Sequence, residues 1–382
     1  MSLRVLYLAT ADARGHLMRA QLLVHALRHA GVHVDVLSTS NEGVEFLKRF
    51  GVAAQLLSPH YAVQFDTEQN MQRAATDRNV AHYVFRPSRM LKDIRKLAGL
   101  MRDVDLVIND SFHPALLCMG SMPWWKRKVV HVYGGSLKAA LISNFEGRLP
   151  AVLARAFAAI IGWQINTARA CIEHDFSCDS AQSMGPSRCR LPTPVAVAKQ
   201  GRKANVQAPL AAVYLNPHFQ NIALADALCA GLSDASLHTH LVGEGLAGHG
   251  NWLAIDEDWV STAAQSSLIV SAPGMAALSV ARIYQRPILL VLTDQPEQAS
   301  NAEQAARMQL HHEVVVWRGD AQDFRTQVAV KMHRLLQDMD MQISAENLAQ
   351  CCASAQARTD AWIRCIQGLH APLKTQESAL LP

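Results

Sequence analysis

His16 follows Gly15 in the stretch Ala11-Asp12-Ala13-Arg14-Gly15-His16. An imidazole titrates near neutral pH, so at the mouth of a cleft it could act as a general base. Gly15 is expected to let the backbone turn tightly. The helix start behind it would offer N–H groups and a positive dipole end, suited to an anion. A histidine that only caps the helix is the competing reading. Asp110, in Asn109-Asp110-Ser111-Phe112-His113, could orient His16 or contact a substrate. It could equally be a capping carboxylate.

A second set of groups lies in the C-terminal half. Pro273, Gly274, Met275, Ala276 and Ala277 connect a strand pattern to a helix pattern. Small residues let a chain pass close to a ligand, and a helix start there can hold a phosphate through backbone N–H groups. A tight turn packed with small residues is the alternative. Asn216 and His218 follow an earlier strand and could meet a phosphate, and Gly243 ends another. Glu297, Gln298 and Asn301 gather a carboxylate and two amides at a helix start. Such groups can pair with sugar hydroxyls, although Glu297 could simply favour the helix N-terminus. Trp124-Trp125-Lys126-Arg127-Lys128 sets two indoles beside three cations. Exposed, it would suit an anionic membrane surface; otherwise it is a packed Trp pair with solvated charges.

The elements that must position these loops alternate. Compact apolar runs at 3–9, 32–37, 53–57, 105–109 and 128–133 read as strands. Helical spacing at 17–30, 41–50 and 88–101 lies between them, with Asn41 as a cap. A long helix is expected over 149–170, and 178–193 reads as irregular because of Gly185, Pro186 and Pro192. After a polar, basic linker at 198–209, alternation resumes. Strands are expected at 210–215, 238–242, 268–271, 287–292 and 313–317, and helices at 222–231, 277–284, 297–308, 324–337 and 345–369. Such alternation means parallel sheets covered by helices. Trp362, Ile363 and Ile366 need an apolar partner, so the last helix is expected to cross back onto the first domain.

Bulk properties narrow the classes. A chain of 382 residues suits two domains of roughly 150–200 residues each. Half the residues are hydrophobic and 18% are charged, which argues for large cores and against disorder. A net charge of +4 does not call for nucleic acid. The eight Cys show no CxxC pair or zinc-ligand spacing, so reduced thiols and no metal are expected. The N-terminus does not read as a signal peptide, and 151–161 is short for a membrane span. The expected location is the cytoplasm, with peripheral contact at the inner membrane face through the Trp-rich basic stretch.

The run 271–301 resembles the donor-binding signature of the GT-B glycosyltransferases, including the MurG-like and UDP-glycosyltransferase-like groups. Gly274 matches the second Gly of that signature, Pro287 its Pro, Glu297-Gln298 its acidic-Gln pair and Asn301-Ala302 its Asn-Ala. Gly15-His16 resembles the N-terminal Gly-His of the superfamily. Departures are Pro273 for the first Gly, Ala277 for a Thr, Val280 for a ribose-binding Glu and Gln285 for a Gly. The resemblance implies an α/β chain of two facing Rossmann-like parallel-sheet domains. The expected division is 1–197 on the acceptor side, linker 198–209, nucleotide-sugar domain 210–340, and a C-terminal crossover helix and tail at 341–382. It also implies transfer of a sugar from a UDP-linked donor to a small-molecule, lipid-linked or glycan acceptor, without metal or cofactor, with His16 as base. A Gly-His loop followed by Met18-Arg19 also resembles nucleotide-sugar hydrolases, in which His16 would activate water. Val280 and Ala277 motivate a third reading, a binding protein without turnover.

Overall fold

The computed structural model describes residues 2–10, 14–58, 87–110, 112–135, 138, 150–199, 209–293, 295–337 and 344–370, the side chains of 87, 296 and 297 excepted. The chain forms two compact units. Of the described residues, one unit takes those up to Pro194 and again from Arg358, and the other those within Val195–Ala357.

The first unit starts with β1 (Arg4–Ala9), α1 (Arg14–His29), β2 (His33–Ser38), α2 (Asn41–Arg49) and β3 (Gln55–Leu56). It continues with α3 (Pro87–Leu100), β4 (Leu106–Asp110), α4 (Pro114–Gly120), β5 (Val129–Gly134) and α5 (Ala151–Thr167). β6 (Ala170–Asp175), β7 (Gln182–Gly185) and β8 (Arg188–Pro192) complete it. The sheet order is β3-β2-β1-β4-β5-β6-β8-β7. All pairings are parallel except β7 with β8. β1 and β4 are buried along nearly their whole length, as expected of central strands covered on both faces. α1 buries Leu17, Ala20, Leu23, Val24 and Leu27, one stripe at helical spacing.

Three expectations need correction here. The helix placed at 149–170 ends at Thr167, and β6 begins at Ala170. The stretch placed as irregular at 178–193 holds the β7–β8 hairpin, where Gly185 (φ +132°) and a register shift mark a turn within the sheet. Turn residues there signal a hairpin rather than a loop. Ser40, not Asn41, caps α2, its Oγ accepting from Gly43 N at 2.9 Å.

The second unit runs β9 (Leu210–Leu215), α6 (Ile222–Asp234), β10 (His238–Gly243), α7 (Trp259–Gln265), β11 (Leu268–Ser271) and α8 (Met275–Ile283). It continues through β12 (Ile288–Leu292), α9 (Pro296–Arg307), β13 (His312–Val316), α10 (Ala321–Gln337) and α11 (Ala345–Gly368). Its five strands, ordered β10-β9-β11-β12-β13, are all parallel. Asn221 caps α6 by accepting from Leu224 N at 3.0 Å.

Of the expected linker, residues 200–208 lie outside the described residues. The segment before them is bonded within the second unit: Tyr284 Oη donates to Ala196 O and accepts from Ala198 N, each at 2.8 Å. α11 counts with the second unit up to Ala357 and with the first from Arg358. In the first unit Trp362 is fully buried, its Nε1 donating to Pro192 O at 2.9 Å. Among the described residues no helix is long and apolar enough to cross a membrane.

Candidate functional site

In a doubly wound sheet, ligands sit at the carboxyl ends of the strands where the strand order reverses. In the first unit that reversal falls between β1 and β4. Thr10 follows β1, Asp110 ends β4, and His16 and Arg19 lie in the first turns of α1.

These side chains form one buried polar network. Arg19 donates from Nε to Asp110 Oδ2 at 3.1 Å and from Nη2 to Asp110 Oδ1. Tyr7 Oη donates to Asp110 Oδ2 at 2.7 Å. Arg19 Nη1 donates to His174 Nε2 at 2.6 Å. A guanidinium has no acceptor, so His174 Nε2 must be unprotonated and its proton sits on Nδ1, 3.1 Å from Thr193 Oγ1. His16 Nδ1 is 3.1 Å from Thr10 Oγ1.

The electrostatics follow from this packing. Burial would raise the Asp110 carboxyl, but Arg19 and Tyr7 outweigh it and hold it below its ordinary value. Burial would weaken the Arg19 cation, and Asp110 reverses that too. Tyr7 is pushed well up, by burial and then by the Asp110 charge. His174 is held well below its ordinary value by burial and then Arg19. His16 is lowered to about 4 by burial and then Arg19, with Asp110 opposing. Its side chain keeps some solvent contact.

Two expectations are corrected. Gly15 does not make the turn: it is the second residue of α1 and has no left-handed φ. Residues 11–13 lie outside the described residues. Asp110 is no helix cap, since His113 holds that position before α4. Its carboxylate serves Arg19 and Tyr7.

In the second unit the order reverses between β9 and β11. Gly274 is the N-cap of α8 with no side-chain cap, and a side chain added there would meet no atom within 4 Å. Gly274 and Ala276 are exposed and Met275 half-buried, while Pro273, Ala277 and Val280 are buried. Asn301 Nδ2 donates to Pro273 O at 2.8 Å, so α9 braces this loop. Gln298 is buried and accepts from Thr293 N at 2.8 Å, closing the loop after β12. The side chain of Glu297 lies outside the described residues.

After β9, Asn216 Oδ1 accepts from His218 N at 3.1 Å, shaping a turn. The turn after β10 leans on it. A Cβ at Gly245 would stand 2.4 Å from Phe219 O and 2.8 Å from Pro217 O, so only glycine fits. A Cβ at Gly243 would stand 3.0 Å from the Trp252 ring. Among the described residues no group of His, Cys, Asp and Glu could hold a metal ion.

Sequence reasoning missed Tyr7, Thr10, His174 and Gly245, and met Arg19 only within the Met18-Arg19 resemblance, with no role of its own. Arg19 had a readable signal: it sits three residues after His16 and on the stripe that α1 buries, and a buried cation needs a carboxylate. His174 had none, because its strand was not recognised.

No protein-family model and no curated protein matches the sequence. Solved structures do match. Spinosyn forosaminyltransferase SpnP aligns over 97% of this chain and 100% of its own, at 15% identity and TM-score 0.60. The glycosyltransferase of kitacinnamycin aligns over 96% and 99%, at 14% identity and TM-score 0.62. Spinosyn rhamnosyltransferase SpnG, solved with thymidine diphosphate, aligns over 96% and 100%, at 14% identity and TM-score 0.59. Likeness at this identity concerns the fold: the chain has the GT-B fold, two Rossmann-like parallel-sheet units flanked by helices.

Proposed function

We propose that the protein is a glycosyltransferase that moves a sugar from a nucleotide-diphospho-sugar to an acceptor hydroxyl. In this reading the second unit holds the donor. The N-terminal turn of α8, at Gly274–Ala277, receives the diphosphate. That helix end presents uncapped N–H groups and a partial charge of about +0.5, which favours the negative charge growing on the leaving group. Asn216 and His218 extend the phosphate site, Gly243 borders it at the carboxyl end of β10, and Glu297, Gln298 and Asn301 serve the sugar. Gln298 and Asn301 do so chiefly by fixing their loops, since their buried amides are already bonded.

The first unit supplies the base. The observation that carries this role is the placement of His16 at the strand-order reversal, beside a fixed ion pair and with one nitrogen on Thr10. Nε2 then takes the acceptor proton as the acceptor oxygen attacks the anomeric carbon. Asp110 acts through Arg19 rather than on the substrate. The donor nucleotide is UDP or a 2′-deoxy counterpart. Val280 is buried on α8 and provides no ribose carboxylate, and a similar structure was solved with thymidine diphosphate. Peripheral attachment to an anionic membrane belongs to the same reading, supported by exposed Trp124, Lys126 and Arg127, with Trp125 packed against the core and Lys128 bonded to Met101 O and Val104 O.

The test is His16→Ala, with initial rates and donor affinity measured on the same preparation. Turnover should fall by about 100-fold or more, with donor affinity unchanged. Full activity would remove His16 as the base. Free sugar released from the parent without acceptor would favour the hydrolase.

A further inference from the structure

We propose that Arg19 is a positioning residue for His16: its guanidinium, locked by Asp110, Tyr7 and His174, is a fixed cation on the same helix face that keeps the imidazole in its proton-accepting form. The inference rests on the reading of His16 as the base.

Three of the five N–H donors of Arg19 hold it in place: Nε and Nη2 reach the two oxygens of Asp110, and Nη1 reaches His174. Tyr7 Oη occupies a further site on Asp110 Oδ2. Arg19 is 6% exposed and Asp110 is fully buried. A pair this deep is weak evidence for stability, because apolar side chains of similar volume often serve a core as well. Nor is it placed at random: it lies at the carboxyl ends of the strands, one turn of α1 from His16.

The groups facing His16 come from three elements besides its own helix. Arg19 lies on α1, Asp110 on β4, His174 on β6, and the partner Thr10 follows β1. Tyr7, on β1, bonds to Asp110. The cation opposes protonation and the carboxylate favours it, and the cation has the larger effect on His16. The positive end of α1 acts in the same sense as Arg19. The resting imidazole is therefore neutral well into the acid range. Asp110 still supports the imidazolium at the moment a proton arrives.

Two variants should move His16 in opposite directions. Arg19→Met removes the cation and leaves the carboxylate. Asp110→Asn removes the carboxylate and leaves the cation. The readout is the protonation midpoint of His16 by nuclear magnetic resonance of labelled histidine, with His16→Gln identifying the resonance. The parent should show no His16 titration between pH 8 and 5. Arg19→Met should raise the midpoint by roughly two pH units, about 100-fold in proton affinity, and Asp110→Asn should lower it below the parent's.

Where Arg19→Met does not fold, Arg19→Met with Asp110→Leu replaces the whole pair by apolar side chains. Its midpoint should also rise, because the cation outweighs the carboxylate. An unmoved midpoint, or a shift in the same direction in Arg19→Met and Asp110→Asn, overturns the proposal. Sugar-transfer rates on the same proteins separate the two readings. Midpoints that move as stated while the parent transfers no sugar would leave Arg19 in place and remove the transferase. Transfer with an unmoved midpoint would do the reverse. With both intact, the acid limb of kcat/KM follows the midpoint, which a merely structural arginine would not cause.

Discussion

The two units meet the same problem, a loop-rich edge at a strand-order reversal, with opposite chemistry. The first unit buries charge there: Arg19, Asp110, Tyr7 and His174 occupy one another's hydrogen-bonding groups. The second unit lays out backbone: an uncapped helix start at Gly274, braced from behind by the neutral amides of Gln298 and Asn301. A fixed charge can set the protonation of a nearby side chain. An open run of N–H groups can receive an anion and adds no side-chain charge of its own. In the proposed function the first edge takes the proton and the second receives the phosphate.

Acid should expose the contrast most strongly. His113 and His131 are fully buried in the first unit and are lowered to about 4 and about 3, with burial as the first cause. His16 and His174 are lowered as well. A histidine whose folded value is depressed binds more protons unfolded, so its stabilisation is complete above about pH 6.5 and falls as pH drops toward the folded value. The slope is about 1.4 kcal/mol per pH unit for each such group. Hydrogen exchange between pH 7 and 4 should show the sheet of the first unit opening as pH falls. A first unit equally protected at both ends of that range would break the comparison.

Single truncations at the two edges come next. Asp110→Ala strands a buried guanidinium and should cost about 3–5 kcal/mol in denaturant unfolding. Asn301→Ala leaves one carbonyl short of a partner and should cost about 1–3 kcal/mol, while loosening the Gly274 loop and weakening binding of nucleoside diphosphates. Equal costs would mean that the charged network is no more committed than the neutral one.

The smallest effect concerns how helices stop. α1 and α2 in the first unit are followed by Gly31 and Gly51 at positive φ. α6, α8 and α9 in the second are followed by Ser236, Gln285 and Gln309 at φ +58°, +52° and +53°. A left-handed conformation costs an L-residue roughly 1–2 kcal/mol. Gln285→Gly should therefore stabilise by about 1 kcal/mol, read as a rise in Tm. An unchanged or lower Tm would show that the Gln285 side chain compensates for its backbone.

Much of the architecture is written in local pattern. The apolar runs at β1, β4, β9, β11 and β12 and the stripe of α1 follow from periods of two and 3.6 residues, which neighbouring positions alone specify. Their alternation led to two parallel sheets, and the loops after β1, β9, β11 and β12 followed as places to look for chemistry. Gln285 stood out as a departure, although the reason glycine suits that position, a backbone with positive φ, needed coordinates. The partners of Arg19 were not legible. Asp110 is 91 positions away and His174 is 155, and the three meet only because the sheet sets β1 beside β4 and β6 beyond β5. β6, β7 and β8 were hidden for the same reason: β6 mixes polar and apolar residues, β7 and β8 carry Gly185 and Pro192, and each becomes a strand where the sheet offers it a partner. Residue type and spacing decide what a segment can form on its own. Which distant charge neutralises a buried one is decided only by the packed chain, because burial creates the need for a partner and the fold supplies it.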